Sequence, residues 1–378
     1  MKILLVGTGG YGSIYARALL NNSDPHIVWE GAVDPFFSAG RYDGEIKERG
    51  VPVYNTMEDF FAEHTADLAV IATPPFLHLE QCLCALRHGA YVLCEKPAAP
   101  SVDEVEQMIA AQKQYGRFIA VGYQWSFARA ILALKQDILD GVLGKPLSFR
   151  TLISWPRDYA YYKRGGGWGG KLFVNGRPLY DSIASNACAH YVHNMLFLLG
   201  DTLESAATPT SIDAECLRAN DIESFDTCTF RAKAADTDLY FAATHAAETQ
   251  INPAFVYTFE NAEVRFAKDD TSQIVATFRD GSVKNYGDPF EEPAEKMFRC
   301  IEDIQTGKTP VCTAETAIAH TKLIGMLHQS TELRSFPASL ICETAEGDRR
   351  FVRGLTEKMV EAYENCRLLS EVGFPQST

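Results

Sequence analysis

The chain has 378 residues, with 35 Lys+Arg against 49 Asp+Glu and a formal charge of −14. Hydrophobic residues at 46% and charged residues at 22% are ordinary globular proportions, which exclude a disordered, collagen-like or coiled-coil chain. The acidic balance excludes nucleic acid and an anionic membrane surface as partners, because no basic stripe is available to displace counterions, and at about 150 residues per domain two domains are expected.

The first 122 residues alternate strand and helix. Lys2–Gly7 is a compact apolar strand, Tyr11–Asn22 a helix, and Ile27–Asp34 a strand ended by Asp34-Pro35. Val51–Tyr54 is a short strand before the amphipathic Met57–His64. Leu68–Ala72 is an unbroken apolar strand stopped by Thr73-Pro74-Pro75, and Phe76–His88 is a helix closed by Gly89. Tyr91–Cys94 is a strand stopped by Glu95-Lys96-Pro97. Ser101–Gly116 is a helix opened by a capping box of Ser101 and Glu104, and Phe118–Gly122 is the sixth strand. Continuously apolar strands separated by helices describe a parallel sheet covered on both faces. A doubly wound α/β domain is expected over 1–122.

After Gly122 the alternation stops. Phe127–Leu139 is helical, Leu147–Ser154 is a strand, a Gly/aromatic loop runs from Trp155 to Gly176, and a long helix covers Ser182–Leu199. Phe225–Ala232, Asp238–His245, Ala254–Phe259, Val264–Ala267 and Gln273–Val283 then follow as strands without helices between them, the last folding back at Asp280-Gly281. The helices Pro293–Thr306, Ala314–Ser330 and Gly354–Arg367 close the chain. Consecutive strands joined by tight turns imply an antiparallel or mixed sheet, so residues 123–378 are expected to form an α+β domain.

The run Met1–Val6 is too short for a signal h-region, and nowhere do about 18 apolar residues run unbroken. The ten cysteines are scattered with no CxxC pair. They read as small buried hydrophobes in a reducing compartment, not as a disulfide or zinc framework. The expectation is a cytoplasmic protein without a membrane span.

Gly7-x-Gly9-x-x-Gly12 follows a buried strand, opens a helix, and is followed 22 residues beyond Gly12 by Asp34 at the end of the second strand. That is the full context of a dinucleotide-binding turn. Gly7 permits the tight turn, Gly9 lets the backbone approach a pyrophosphate, and Gly12 lets helix and strand pack closely. Asp34 accepts hydrogen bonds from the adenosine ribose and repels a 2′-phosphate, which favours NAD. Arg41, further on, leaves NADP open.

Lys96 stands at the carboxyl end of the fifth strand, the edge on which open α/β sheets bind ligands. A lysine there can hydrogen-bond a substrate hydroxyl, and near a positively charged nicotinamide its pKa falls. On the long helix, Asn186, His190 and His193 are spaced four and three apart and share one face. A histidine titrating near neutrality can take an alcohol proton while hydride leaves the same carbon. Asn186 is placed to orient either imidazole or substrate. A metal on His190 and His193 lacks a nearby carboxylate, so none is expected.

Val6–Gly12, Ala72-Thr73-Pro74-Pro75-x-x-His78, the stretch from Gly89 to Pro97 and Val121-Gly122-Tyr123 together resemble the N-terminal domain of the glucose–fructose oxidoreductase / inositol dehydrogenase (Gfo/Idh/MocA) family. The resemblance implies a catalytic lysine, Lys96, and a C-terminal sheet whose open face mediates homo-oligomer contacts. It implies cofactor contacts from Gly10 and Tyr11 beside the three glycines, from Thr73, Pro74 and His78, and from Glu95, Lys96 and Gln124. The family helix motif Asp-x-Gly-x-His-x-x-Asp aligns its histidine on His190. Its first Asp then falls on Asn186, its Gly on Cys188 and its last Asp on His193. Asn186 cannot carry the charge that raises the basicity of His190, and Asp181 or a substrate group is a candidate replacement.

The reading is an NAD-dependent oxidoreductase acting on a sugar, cyclitol or related polyol. Lys96 and Asn186 fix the hydroxyl, and His190 takes its proton. Arg157, Tyr159 and Trp168 of the aromatic, basic loop, with His193, complete the substrate contacts. Two rivals stand beside it: a lyase or hydrolase using tightly held NAD for transient oxidation, and a non-catalytic NAD/sugar sensor.

Overall fold

The structure, a computed structural model, describes every residue except Ala39 and Gln376–Thr378. Contacts cluster into two units: Met1–Gln124 with Glu291–Ile318, and Trp125–Phe290 with Ala319–Thr378. The chain thus returns to the first unit at Glu291, a segment that a single cut at 122 assigns to the second domain.

In the first unit six parallel strands, β1 (Lys2–Val6), β2 (Val28–Val33), β3 (Val53–Tyr54), β4 (Leu68–Ile71), β5 (Tyr91–Cys94) and β6 (Ile119–Val121), pair in the order β3-β2-β1-β4-β5-β6. Ile3–Val6, β4 and Val92–Cys94 are buried throughout, as strands covered on both faces must be. The helices between them are α1 (Gly12–Leu20), α2 (Asp43–Glu48), α3 (Met57–Glu63), α4 (His78–Arg87) and α5 (Val102–Tyr115). α5 carries the capping box of Ser101 and Glu104 and stops at Gly116, which turns left-handed at φ 61°. The short α2 is absent from the sequence reading, because Asp43–Glu48 has a single apolar residue and no periodicity to detect.

The second unit carries α6 (Arg129–Leu139), β7 (Pro146–Ser154), α7 (Tyr159–Gly167), a ribbon of β8 (Phe173–Val174) and β9 (Arg177–Pro178), and α8 (Ala189–Leu198). There follow β10 (Pro209–Arg218), β11 (Thr227–Ala234), β12 (Thr237–Thr244), β13 (Ile251–Phe259), β14 (Ala262–Ala267), β15 (Ile274–Phe278) and β16 (Val283–Gly287). α9 (Glu295–Thr306) belongs to the first unit, and α10 (Ala314–Ser330) contains the division between the units. The chain ends with β17 (Leu333–Ser335), a ribbon of β18 (Ile341–Glu343) and β19 (Arg350–Val352), and α11 (Leu355–Asn365).

The large sheet has nine strands in the order β16-β15-β14-β13-β7-β12-β11-β10-β17. It is mixed, because β7 runs parallel to β12 and antiparallel to β13. Alternation along β7 and β12 sends Phe149, Ile153 and Phe241 into a core with α6 and α8. Leu152, Tyr240 and Ala242 point the other way and are buried against Leu355, Met359 and Ala362 of α11 and against Phe374. The resemblance implied an open second face. Here α11 and the segment after it cover the face over β7 and β12.

Among the described residues no helix is long and apolar enough to cross a membrane. The ten cysteines are free thiols, and the eight that are buried sit in the interior as small apolar groups.

Candidate functional site

The chain must reverse between Val6 and Gly12, and only hydrogen fits at two places in that turn. Gly7 sits at φ +86°, where a Cβ would lie 2.9 Å from the Ala72 carbonyl oxygen, and a Cβ on Gly12 would lie 1.9 Å from that of Gly7. A Cβ on Gly9 would meet nothing within 4 Å, so the space over the turn is open. α1 has no side-chain cap, which leaves its positive end open to a phosphate. The turn follows β1, beside which the strand order reverses, the position of the ligand crevice in open α/β sheets. The Asp34 carboxylate accepts the Thr8 N–H and hydroxyl, each at 2.9 Å on Oδ2, and the Phe36 N–H at 2.9 Å on Oδ1. These donors fix its orientation while Oδ1 keeps a lone pair for a ribose hydroxyl. The Arg41 guanidinium lies over the ring of Tyr42, 5.4 Å from its centroid. An open glycine turn, an uncapped helix end and an oriented carboxylate fit NAD.

Two loops at the carboxyl ends of β4 and β5 are tied by His78. Its Nε2 meets the Thr73 carbonyl at 2.9 Å, and its Nδ1 meets the Pro97 and Ala98 carbonyls at 3.0 and 3.2 Å. The ring is fully buried, and burial lowers its pKa against the pull of the three carbonyls. The sequence reading placed His78 among the cofactor contacts. Enclosed as it is, the ring fixes the backbone on which Thr73 and Lys96 stand. Pro74 follows Thr73 on the first loop, and Thr73 donates its hydroxyl to Gln81 at 2.5 Å. Lys96 is half-buried, and its peptide bond to Pro97 is cis.

Sequence reasoning missed Lys296. This α9 residue has a side chain only 1% exposed, and its Nζ lies 2.7 Å from Glu95 Oε1. It also donates to the Tyr11 hydroxyl and the Gly122 carbonyl, each at 3.2 Å. Tyr15 donates to the same Glu95 oxygen at 2.5 Å, and Tyr11 donates to Gln124 at 3.4 Å. Burial, then the Glu95 charge, raises the pKa of both tyrosines, which remain neutral donors. Tyr11 and Glu95, two expected cofactor contacts, are thus held on one buried ammonium, and Gln124, a third, is reached through Tyr11. A signal did exist: Lys296 and the apolar Cys300 are four apart on one helix face, and a lysine on a buried face needs an anion.

In the second unit the expected long helix is broken. Ile183–Ala187 forms a π turn, with the Cys188 N–H bonded to the Ile183 carbonyl five residues back at 2.8 Å, and α8 starts only at Ala189. Asn186 and His190, on either side of that junction, are half-buried. Such turns recur at functional sites, where an inserted residue re-aims its neighbours. His193 does not join them. It is 0% exposed, stacked near Phe197, and its pKa is driven well below the ordinary value by burial, then by His320 and Lys135. The three-residue step that placed it beside His190 carries it into the packed interior, so it is a core residue.

Asp181 is 5% exposed and is the local hub. It accepts from Asn186 Nδ2 at 2.8 Å and from the Gly170 N–H at 2.6 Å, and Arg164 lies 3.4 Å away. A carboxylate thus lies one hydrogen bond from the Asn186 amide. In the preceding loop, Arg157 lies over Trp155 and Tyr161 at 5.4 and 5.0 Å, and Arg164 over Tyr161 and Trp168 at 3.9 and 4.3 Å. Arg157 and Trp168 are thus rungs of an internal cation–π ladder. Tyr159 is elsewhere: it donates to Glu343 at 2.7 Å and lines a cleft of ≈ 650 Å³ with Tyr162, Lys163 and Lys171. Among the described residues no group of three or more His, Cys, Asp or Glu is placed to hold a metal ion.

The family model described as an oxidoreductase family with an NAD-binding Rossmann fold, Gfo/Idh/MocA, matches residues 1–123. A 2,7-anhydro-N-acetylneuraminate hydratase of Mediterraneibacter gnavus is 29% identical over 38% of this chain and 37% of its own length. An inositol 2-dehydrogenase of Rubrobacter xylanophilus is 30% identical over 41% of this chain and 43% of its own. The chain thus spans about two fifths of these curated relatives. The fold extends further: the WlbA dehydrogenase of Bordetella pertussis, solved with NADH and UDP-GlcNAcA, is 19% identical and covers 87% of this chain and 96% of its own, with a TM-score of 0.70. The glycine turn, Asp34 and the Glu95-Lys96-Pro97 loop all lie within residues 1–123, the stretch that the model of the Gfo/Idh/MocA oxidoreductase family, an NAD-binding Rossmann fold, matches.

Proposed function

We propose that the protein is an NAD-dependent dehydrogenase that interconverts an alcohol and a ketone on a sugar, cyclitol or related polyol. The observation that carries this reading is Lys96, a half-buried lysine on a loop braced by His78 and Lys296, at the strand end of a nicotinamide-binding domain. Bound NAD supplies the hydride acceptor. Lys96 donates a hydrogen bond to the reacting hydroxyl and holds its carbon in place. His190 takes the hydroxyl proton, and Asn186, held by Asp181, orients the substrate beside it. The inositol 2-dehydrogenase among the relatives supports the polyol class.

The test is a panel of hexoses, inositols and sugar acids with NAD, followed as absorbance of the reduced nicotinamide. Turnover of one class confirms the reading; a flat panel in both directions overturns it. The hydratase relative favours a second reading, in which oxidation is transient and labilises a neighbouring bond. Product formed without net NADH, by protein that purifies with its cofactor, selects that one. Asp34→Ala is expected to weaken NAD far more than NADP, because the carboxylate reads the ribose hydroxyls and repels a phosphate in their place. Equal loss of both cofactors, measured by fluorescence titration, would remove Asp34 from that role.

A further inference from the structure

The cleft that Tyr159 lines has a charge opposite to that of the whole chain. The protein carries −14, yet this one hollow collects Lys163, Lys171, Arg218 and Arg350. Two carboxylates, Asp221 and Glu223, also line it, so cations outnumber anions by two. The two arginines are held by backbone, and Arg350 Nε also lies 3.9 Å from the Glu343 carboxylate. Arg218 Nη1 donates to the Ile222 and Glu223 carbonyls at 2.8 and 3.3 Å, and Arg350 Nη1 donates to the Ala219 carbonyl at 3.3 Å. Each therefore keeps its Nη2 for another acceptor. Neither lysine ammonium has a hydrogen-bond or ion-pair partner among the described residues. Glu223 is already engaged by the Leu172 N–H at 3.0 Å.

The rest of the lining suits a hydroxylated ring. Tyr159 and Tyr162 offer faces for stacking, and burial, then the Asp226 charge, raises the Tyr162 pKa and keeps its hydroxyl a neutral donor. Gly169 and Gly170 hold the wall tightly together: a Cβ on Gly170 would lie 2.7 Å from Ile222, and one on Gly169 2.8 Å from the Tyr162 carbonyl oxygen. The wall also connects to the proposed chemistry, because the carboxylate of Asp181 that takes the Gly170 N–H also holds Asn186.

We infer that this cleft binds an acidic carbohydrate, a polyhydroxylated ring bearing a carboxylate or phosphate, with Lys163, Lys171 and the forks of Arg218 and Arg350 around the anion. The inference rests on the dehydrogenase reading, whose substrate it narrows from polyols in general to their acidic members. In a chain this acidic, a local reversal of sign is also what draws an anion to one place.

The test is calorimetric binding of glucose, glucuronate and glucose 6-phosphate to the full chain with NAD at low ionic strength, for the parent and for Lys163→Met with Lys171→Met. Both substitutions leave the backbone-held arginines intact. At least about tenfold tighter binding of one anionic probe than of glucose is expected, with loss of that margin in the variant and at high salt. Preference for glucuronate identifies a sugar acid, and preference for glucose 6-phosphate a sugar phosphate. Equal affinity for all three, an anion preference that survives the substitutions, or no binding of any probe overturns the proposal. Oxidation of neutral polyols by a protein that ignores both anions sinks the cleft assignment and leaves the dehydrogenase. Anions that bind but are never oxidised or reduced do the reverse.

Discussion

Lys296→Met is expected to cost about 3–5 kcal/mol of stability, because it strands the Glu95 carboxylate in the interior opposite an apolar group. Glu95 is 5% exposed and loses its nearest cation, and the Tyr11 and Gly122 contacts go with it. Glu95→Gln with Lys296→Met is expected to recover much of the loss, since no buried charge is then left uncompensated, although the Tyr15 bond to a neutral amide is weaker. Urea unfolding of parent, both single variants and the double variant measures the coupling directly. A Lys296→Met protein that unfolds at the parental urea concentration, or four variants that combine additively, would show that the pair contributes no specific support.

The pH dependence has a definite sign. Burial works against the Lys296 charge, but Glu95 and then Tyr11 outweigh it, and the pKa is raised above the ordinary lysine value of 10.5. The pair's contribution from this group is therefore complete below pH 10.5 and is lost as pH rises through the higher folded value. Alkaline unfolding of the parent should show that loss, and Lys296→Met should not. The same variant should bind NAD more weakly, because Tyr11 starts the phosphate turn's helix and Glu95 precedes Lys96.

What could be read from the chain beforehand follows from the range of the forces involved. The parallel sheet was legible because its strands are short apolar runs closed by Gly, Asp or Pro, and local sequence decides both run and stop. The glycine turn was legible because steric exclusion at Gly7 and Gly12 concerns atoms next to them in space and sequence. β10 was legible and was passed over: in Pro209–Arg218 the apolar Ile212, Ala214 and Cys216 alternate with Ser211, Asp213 and Glu215, a period-two pattern of a half-buried strand. Lys296 was not, because its partner lies 201 positions away in the chain. His193 was misread for a related reason: helical spacing gives an angle around the axis but not how deep each turn sits, and past His190 the helix is buried on all sides. The covering of the large sheet by α11 is likewise a long-range fact about this chain that the family resemblance does not carry.

Lys96→Ala should lower kcat at least about 100-fold while leaving the fold intact, because it removes the donor that holds the reacting hydroxyl while its proton is transferred. The substitution is structurally mild: the side chain is half-buried, and the loop beneath it is held by others, Glu95 by Lys296 and the Pro97 carbonyl by His78. NAD affinity and the unfolding midpoint should therefore stay near parental values, which separates this variant from Lys296→Met. Lys96→Arg tests the chemistry. A guanidinium keeps the charge and the donors but does not release a proton at any working pH, so a group needed only for binding would be rescued and one needed for proton movement would not. His190→Ala is expected to reduce kcat comparably, and the double variant to be little worse than either alone, since groups that act together on one hydroxyl do not add. Near-parental turnover of Lys96→Ala on a substrate that the panel identifies would take the lysine out of the mechanism, whatever its place on the strand.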